Sequence, residues 1–382
     1  MSRGVIIMRK LVVMSILVLV GVSSLPAVAA EPVKIAAIFA TTGIAATNNT
    51  PHVRCVELAV EEINNQGGLL GRPLELIILD NKSTPIGSNL AAKKAVQLQV
   101  TAVIGAAWSS HSLRIAPVLQ QAKIPMVTGS STNPKVTRIG NYVFRTCFID
   151  SFQAQAMAHF AFTELRAKTA VVLEIINEEF SLTLAELFVS SFQKYGGKVV
   201  LKGSYENDAV DFAYLLTEVK RLQPDVVYVP GYARDCGLLI KQAVSMGIET
   251  TFLGGDGWAG SLLYTSGDNA LEGNYYSAHW HPDVRFPLSV HLQKLYDRKY
   301  GGVIPHMNAP LNFDAAMLLA DAIRRAGTLD RAKIRDTLAE TKGFQGATGT
   351  ITLDQYGDPL NKPLVIMKLG KDAPMYFKTI QP

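Results

Sequence analysis

The sequence predicts an α/β protein made of two lobes, each a doubly wound parallel sheet with helices on both faces. Three observations predict this fold. Short β-rich runs alternate with longer helical patterns through about the first 260 residues, which is typical of parallel sheets. The alternation restarts near Phe152, which indicates a second sheet. The chain is 382 residues long, and two domains are the natural expectation at this length.

In the first half, predicted strands and helices follow one another in order. The strands are predicted at Val33–Ala40, Leu74–Leu79, Ala102–Ile104 and Pro125–Val127, and the helices after Pro51, near Leu90–Gln99 and near His111–Gln121. The helix after Pro51 places Val53, Val56 and Val60 on one face, which predicts that this face is buried.

The second half repeats the pattern and then changes to helices. Helices are predicted at Phe152–Leu165, Leu182–Tyr195 and Phe212–Arg221, and strands at Thr169–Ile175, Lys198–Leu201, Val226–Val229 and Thr251–Leu253. Further helices are predicted at Leu288–Tyr300, Phe313–Ala326 and Arg331–Glu340, and further strands at Thr350–Leu353, Leu364–Leu369 and Met375–Thr379. This last third has too few strands for a sheet of its own, so we expect it to pack on the earlier sheets.

The N-terminus has the pattern of a secretory signal peptide over residues 1–30. Arg3, Arg9 and Lys10 precede an apolar run at Leu11–Val22, and small residues follow as far as Ala30. The apolar run is too short to span a membrane comfortably, and no cysteine stands at the expected cleavage site. The sequence therefore predicts an exported, periplasmic protein that is cleaved near Ala30 and carries no lipid anchor.

The charge and the cysteine content argue against a nucleic-acid-binding protein and against a disulfide-rich protein. The formal charge of +5 falls to +2 once the three cations of the signal peptide are removed, and no basic run suggests nucleic-acid binding. Cys55, Cys147 and Cys236 are an odd number and widely spaced. We expect them to be small buried residues rather than a disulfide framework.

Polar residues follow two neighbouring strands in the first half. Ser109 and Ser110 come just before a predicted helix, where serine is a favoured cap, and Thr132 follows the next strand 23 residues after Ser109. A helix N-terminus welcomes an anion, so these hydroxyls and nearby N–H groups would bind a small carboxylate. Alternatively, Ser109 only caps its helix and Thr132 only begins a turn.

The second half of the chain has an acidic residue at the corresponding edge of its predicted sheet. Tyr232 follows one strand, and Asp256 follows the next strand 24 residues later, in a glycine-rich loop beside Trp258. Asp256 would pair with an ammonium, and Tyr232 would donate a hydrogen bond or cover the ligand, although a loop Asp also bonds its own backbone. Ligands bind at the carboxyl edge of parallel sheets. Two such edges facing each other would hold a zwitterion.

Motifs for cofactors, metals and catalysis are weak or missing. The run Gly255–Gly260 matches G-x-G-x-x-G, but Gly267 interrupts the following helix and no acidic residue ends a next strand at the expected distance. His279 and His281 share a strand face without a third ligand nearby. The sequence has neither a G-x-S-x-G elbow nor a Walker loop. We therefore expect no cofactor, no metal and no enzymatic activity.

Several short segments resemble the periplasmic branched-chain amino-acid-binding proteins, and the similarity runs over nearly the whole mature chain. These segments are Val33–Ala36, Glu62–Asn64 before Gly67-Gly68, Val103–Gly105 before Ser109-Ser110, Thr132–Pro134 and Phe144–Thr146. The resemblance implies a type I periplasmic-binding fold with three hinge crossings, near Cys147–Ser151, Ser277–His281 and Thr352–Gly357. It implies a first lobe of residues 31–149 with 280–354 and a second lobe of residues 150–279 with 355–382.

The resemblance also implies the roles of eight residues. Ser109 and Thr132 would hold the ligand carboxylate, with Trp108 and Ser130 alongside. Asp256 would hold the ammonium, and Tyr232 would form an aromatic wall. Phe180 stands where the family has a second tyrosine, and Asn48 stands where an aromatic often covers the ligand side chain. The family's acidic residue is usually Glu, so an ammonium would have to lie closer to the shorter Asp256 or be reached through water.

The same resemblance implies delivery of the ligand to the membrane subunits of an ABC permease, by a protein expected to be a monomer. The disulfide of the best-known member is not expected, since Ser83 and Trp108 stand at those positions. The expected ligand is a branched-chain or other neutral amino acid. Trp108, Phe180 and Asn48 differ from the family pattern, so an aromatic acid, an amide or a urea-like solute is an alternative ligand. A ligand-sensing regulator of the same fold is a further alternative.

Overall fold

The first sheet is wholly parallel and accounts for the N-terminal lobe. The structure is a computed structural model that describes residues 31–382. The elements of this part are β1 (Val33–Phe39), α1 (Ala46–Asn65), β2 (Leu74–Asp80), α2 (Pro85–Gln97), β3 (Ala102–Gly105), α3 (Ser109–Gln121), β4 (Met126–Thr128) and β5 (Val143–Arg145). The strands lie in the order β2-β1-β3-β4-β5. Because the strands are buried under helices on both faces, β1 and β3 are almost continuously apolar.

The second sheet has a parallel body and an antiparallel edge. Its elements are α4 (Asp150–Thr163), β6 (Thr169–Ile175), α5 (Glu179–Lys194), β7 (Lys198–Tyr205), α6 (Ala213–Leu222), β8 (Val226–Val229), α7 (Ala233–Ser245), β9 (Thr251–Gly254), α8 (Leu262–Gly267) and β10 (Tyr275–Ala278). The last strands of the chain complete this sheet, in the order β14-β13-β10-β9-β8-β6-β7. Both β13 (Leu364–Leu369) and β14 (Pro374–Ile380) are antiparallel to their neighbours.

Between β10 and β13 the chain returns to the first lobe. Here α9 (Pro287–Tyr300), α10 (Pro310–Ala326), α11 (Arg331–Ala339) and the β11–β12 hairpin (Phe344–Gly346, Gly349–Ile351) follow one another. Residues of α1, α9 and α10 share one buried core, which includes Val56, Leu292 and Leu319. The chain thus passes between the lobes after β5, after β10 and after β12. The lobe bounds given above stay a prediction.

The parallel α/β fold of two lobes is confirmed, with several local differences. Helix α1 begins at Ala46, five residues before the predicted start at Pro51. Helix α7 and the short strands β5 and β10 were not predicted. The three cysteines are buried and free, as expected. Within residues 31–382, no helix combines the length and apolar character that a bilayer crossing requires; the predicted signal peptide lies outside the described residues.

Candidate functional site

A small cavity lies between the carboxyl edges of the two sheets and brings together seven of the eight predicted site residues. Its volume is about 30 Å³. The predicted residues that line it are Asn48, Trp108, Ser109, Ser130, Phe180, Tyr232 and Asp256. Thr132 is buried but is not among the lining residues, and its carbonyl accepts the backbone N–H of Asp150 at 3.0 Å. We call this space the cleft cavity.

The first lobe presents the N-terminus of α3 to the cleft cavity. The cap position is Trp108, and Ser109 is already the first helical residue, so the prediction that Ser109 and Ser110 precede and cap the helix is wrong. The Ser109 hydroxyl instead accepts the backbone N–H of Asn133 at 3.2 Å, which ties α3 to the loop after β4. This 13-residue helix therefore points its positive end at the cavity.

Arg145 fixes the loop after β4 from below. Its guanidinium is fully buried and donates to the carbonyls of Ser131 at 2.6 Å and Asn133 at 3.0 Å. Its Nε lies 2.7 Å from Oδ1 of Asp358, just beyond the third passage between the lobes. A guanidinium suits this position because it offers several donors in a fixed plane. The buried guanidinium of Arg145 thereby holds the loop that carries Ser130 through its backbone carbonyls.

Asp256 is the acidic residue of the second-lobe wall. It lies 3 % exposed in a short 3₁₀ turn after β9. Its Oδ2 accepts Nε2–H of His279 and the side-chain amide of Asn308, each at 3.1 Å. Its Oδ1 is buried and has no hydrogen-bond partner among the described residues. A buried carboxylate oxygen in this position is a strong acceptor for a cationic guest.

Gln153 of α4 holds the Asp256 turn in place. Its Oε1 accepts the backbone N–H of Asp256 at 2.7 Å and the hydroxyl of Ser277 at 2.6 Å. Three segments that are far apart in sequence therefore meet at one side-chain amide. The position of the carboxylate is fixed by buried hydrogen bonds rather than by the loop alone.

Aromatic rings form a column across the cleft. The rings of Trp108 and Tyr232 stack with 4.0 Å between centroids and 9° between planes, and Phe180 stacks on Tyr232 at 5.7 Å. The Tyr232 hydroxyl donates to buried Glu178 at 2.9 Å. The hydroxyl and the ring of Tyr232 thus contact Glu178, Trp108 and Phe180, and its role toward a ligand stays a prediction.

The second lobe approaches α1 closely at Gly260. Gly260 has φ +120°, and a Cβ there would lie 2.8 Å from Oδ1 of Asn48 and 3.0 Å from the ring of His306. Only glycine combines this backbone angle with this separation.

Other lining residues were not predicted from the sequence: Asn49, His52, Ala107, Gly257, His306 and Asn308. His52 is one helical turn from Asn48 on α1, a spacing that could have indicated it. His306 and Asn308 lie in the connection between α9 and α10, and no local pattern marks them. Across residues 31–382, no three His, Cys, Asp or Glu side chains form a group that could hold a metal ion.

Asp150 is a second buried carboxyl next to the site. It is the first residue of α4, and its Oδ1 accepts the side-chain amide of Gln153 at 3.2 Å. Burial, with a smaller contribution from the nearby Asp256 carboxylate, raises the pKa of Asp150 to about 8. A carboxyl with this pKa is mostly protonated at pH 7.

Replacing Asp150 with asparagine should flatten the pH dependence of stability. Between pH 4 and pH 8 the folded protein holds a proton that the unfolded chain, with a carboxyl pKa of about 3.9, has released. Unfolding then releases a proton, so the free energy of unfolding falls as pH rises, by up to about 1.4 kcal/mol per pH unit. Urea unfolding of both proteins at pH 5, 6.5 and 8 checks this, and parallel curves would contradict it.

The chain is similar to known proteins over most of its length. A model of the periplasmic binding protein family matches residues 32–374. The leucine-, isoleucine-, valine-, threonine- and alanine-binding protein of Pseudomonas aeruginosa is 27% identical over 350 residues, which are 90% of this chain and 92% of that one.

Two solved structures resemble this one closely. A leucine-binding protein, LivK, of Thermotoga maritima is 35% identical, with a TM-score of 0.86 over 92% of this chain and 99% of that one. The branched-chain amino acid transporter substrate-binding protein LivJ of Streptococcus pneumoniae, solved with isoleucine, is 27% identical, with a TM-score of 0.87 over 92% of this chain and 100% of that one.

Proposed function

Because the chain belongs to the periplasmic binding protein family, a family of solute-binding proteins and not of enzymes, we propose that it binds a small amino acid and delivers it to the membrane subunits of an ABC permease. The proposal includes export to the periplasm after cleavage near Ala30 and action as a monomer. Relatives that carry the names of amino-acid-binding proteins support it.

The observation that carries the proposal is the pairing of unlike groups across the cleft cavity. The N-terminus of α3 and the Ser109 hydroxyl line it from the first lobe, and the buried Asp256 carboxylate lines it from the second. The ligand carboxylate would bind at the helix N-terminus and the ligand ammonium at Oδ1 of Asp256. A zwitterion satisfies both ends at once, whereas a plain acid leaves the Asp256 carboxylate without a cation.

Closure of the lobes follows from the same arrangement. Each lobe supplies one half of the binding groups, so a ligand held by both stabilises the closed form over the open form. The chain passes between the lobes three times, and these connections are the expected hinges. The permease would then recognise the closed shape.

A thermal-shift screen tests the proposal. Neutral amino acids should raise the midpoint of unfolding by several degrees, since a ligand at ~1,000 times its Kd stabilises by about 4 kcal/mol. Benzoate, acetamide and urea, at the same concentrations, should not. A shift with these solutes and with no amino acid would contradict the proposal and favour the aromatic-acid or amide alternative.

A further inference from the structure

One wall of the cleft cavity is made of amides and imidazoles. Asn48 and His52 come from α1, and His306 and Asn308 come from the connection before α10. All four are buried, and the two imidazole rings meet edge to face with 4.5 Å between centroids. We call these four residues the polar wall. They belong to the first lobe or its return segment, and Asn308 reaches the Asp256 turn of the second lobe, where its side-chain amide donates to Oδ2 of Asp256 at 3.1 Å.

Each imidazole of the polar wall is held in one tautomer by a neighbour. The side-chain amide of Asn312 donates to Nδ1 of His52 at 2.6 Å, and the backbone N–H of Asn308 donates to Nδ1 of His306 at 3.2 Å. A neutral ring whose Nδ1 accepts a hydrogen bond carries its proton on Nε2. Each ring therefore has one N–H donor to offer a guest.

The polar wall is uncharged at neutral pH. Burial lowers the pKa of His306 to about 3, with the nearby His279 adding to the effect. Burial also lowers the pKa of His52 well below its ordinary value, and the neighbouring His306 and His279 lower it further. A cationic wall for an acidic side chain is thereby excluded, and what remains is a set of neutral hydrogen-bonding groups.

The polar wall also offers acceptors. Oδ1 of Asn48 and Oδ1 of Asn308 are buried, and neither has a hydrogen-bond partner within residues 31–382. An apolar guest side chain would leave such groups unpaired, which costs about tenfold or more in affinity for each group. A site built to bond a hydroxyl or amide rejects an analogue that lacks it far more strongly than an apolar pocket rejects a missing methylene.

We propose that the polar wall selects an amino acid with a short, neutral side chain that both donates and accepts hydrogen bonds, such as a hydroxyl or a carboxamide, over an apolar side chain of the same shape. The cleft cavity is small, and it has to hold both charged ends of the amino acid as well, which favours a short side chain. This inference rests on the proposed function, because it assumes that Ser109 and Asp256 hold the ends of the amino acid.

Pairs of amino acids with the same shape test the inference by titration calorimetry. The protein is freed of bound solute by refolding and titrated with threonine and valine, and then with asparagine and leucine. We expect the polar member of at least one pair to bind about tenfold or more tightly than its apolar partner. Valine and leucine binding as tightly as threonine and asparagine would overturn the inference.

A variant of the polar wall and a matched control localise the effect. In Asn48→Leu the polar-over-apolar preference should fall by about tenfold, because one acceptor is gone. Thr47→Val changes the neighbouring, exposed position of α1 and should keep the wild-type preference. An unchanged preference in folded Asn48→Leu would remove Asn48 from the selecting group. If this variant does not fold, the titrations of the wild-type protein with the two pairs of amino acids still test the inference.

These titrations, together with titrations of acetamide and urea, separate the two proposals. Wild-type protein that binds valine or leucine as well as the polar partners contradicts the inference and leaves the proposed function standing. Wild-type protein that binds none of the four amino acids, but binds acetamide or urea, contradicts the proposed function and the inference with it.

Discussion

Replacing Asp256 with alanine should weaken binding of the tightest amino-acid ligand by roughly two to four orders of magnitude. The ligand ammonium would enter a buried site without its counter-charge, and breaking a buried ion pair by removing one partner costs about 3–5 kcal/mol. The substitution also takes away the acceptor of His279 and of Asn308. Titration calorimetry at pH 7 measures the loss.

Two further variants make this result specific. Asp256→Asn keeps the shape of the side chain and removes its charge, so it should lose nearly as much affinity as the alanine variant. Asp268→Ala removes an exposed carboxylate of the same lobe, which pairs with Lys241 at 3.5 Å, and should bind as the wild type does. Near wild-type affinity in both Asp256 variants would contradict the assignment of the ammonium site.

Replacing Arg145 with methionine should lower the free energy of unfolding by about 3–5 kcal/mol. The change leaves the buried Asp358 carboxylate without its closest cation and frees the carbonyls of Ser131 and Asn133. Ligand binding should also weaken, because these carbonyls belong to the loop that carries Ser130. Urea unfolding followed by circular dichroism measures the stability change.

A neighbouring arginine provides the control. Arg138 also pairs with Asp358, at 2.9 Å, but 39% of its side chain is exposed to solvent. Arg138→Met should therefore cost less than about 1 kcal/mol. Equal losses in the two variants would show that burial does not decide the strength of these pairs.

The sequence predicted the parts of the fold that depend on local pattern. Long helices and buried parallel strands show their period within 10 to 20 residues, so β6 and α5, among others, lie close to their predicted positions. The signal for α7 was also present, since Cys236, Leu239, Ile240 and Ala243 recur at helical spacing. Strands β5 and β10 are three and four residues long, and only their distant partners make them strands.

The residues of the cleft cavity divide in the same way. Some are indicated by the sequence around them, and others reach the cavity only through contacts between distant segments. Ser109 and Asp256 follow strands directly, and the edge of a parallel sheet collects such residues. His306 and Asn308 reach the cavity only because α10 packs against α1 in one core, a contact between segments about 250 residues apart in the chain. The stacking of Trp108 on Tyr232 likewise depends on how the two lobes meet, and neither residue's neighbours in sequence indicate it.

The return of the chain to the first lobe has a consequence for biosynthesis. The face of β3 and β4 that α10 covers stays open until residue 326 has been made, and the second sheet lacks its outer strand until residue 380. A nascent polypeptide on the ribosome can therefore complete neither half. Contacts between such remote segments slow folding to the final state, so the export proposed above would act on a chain that is still open.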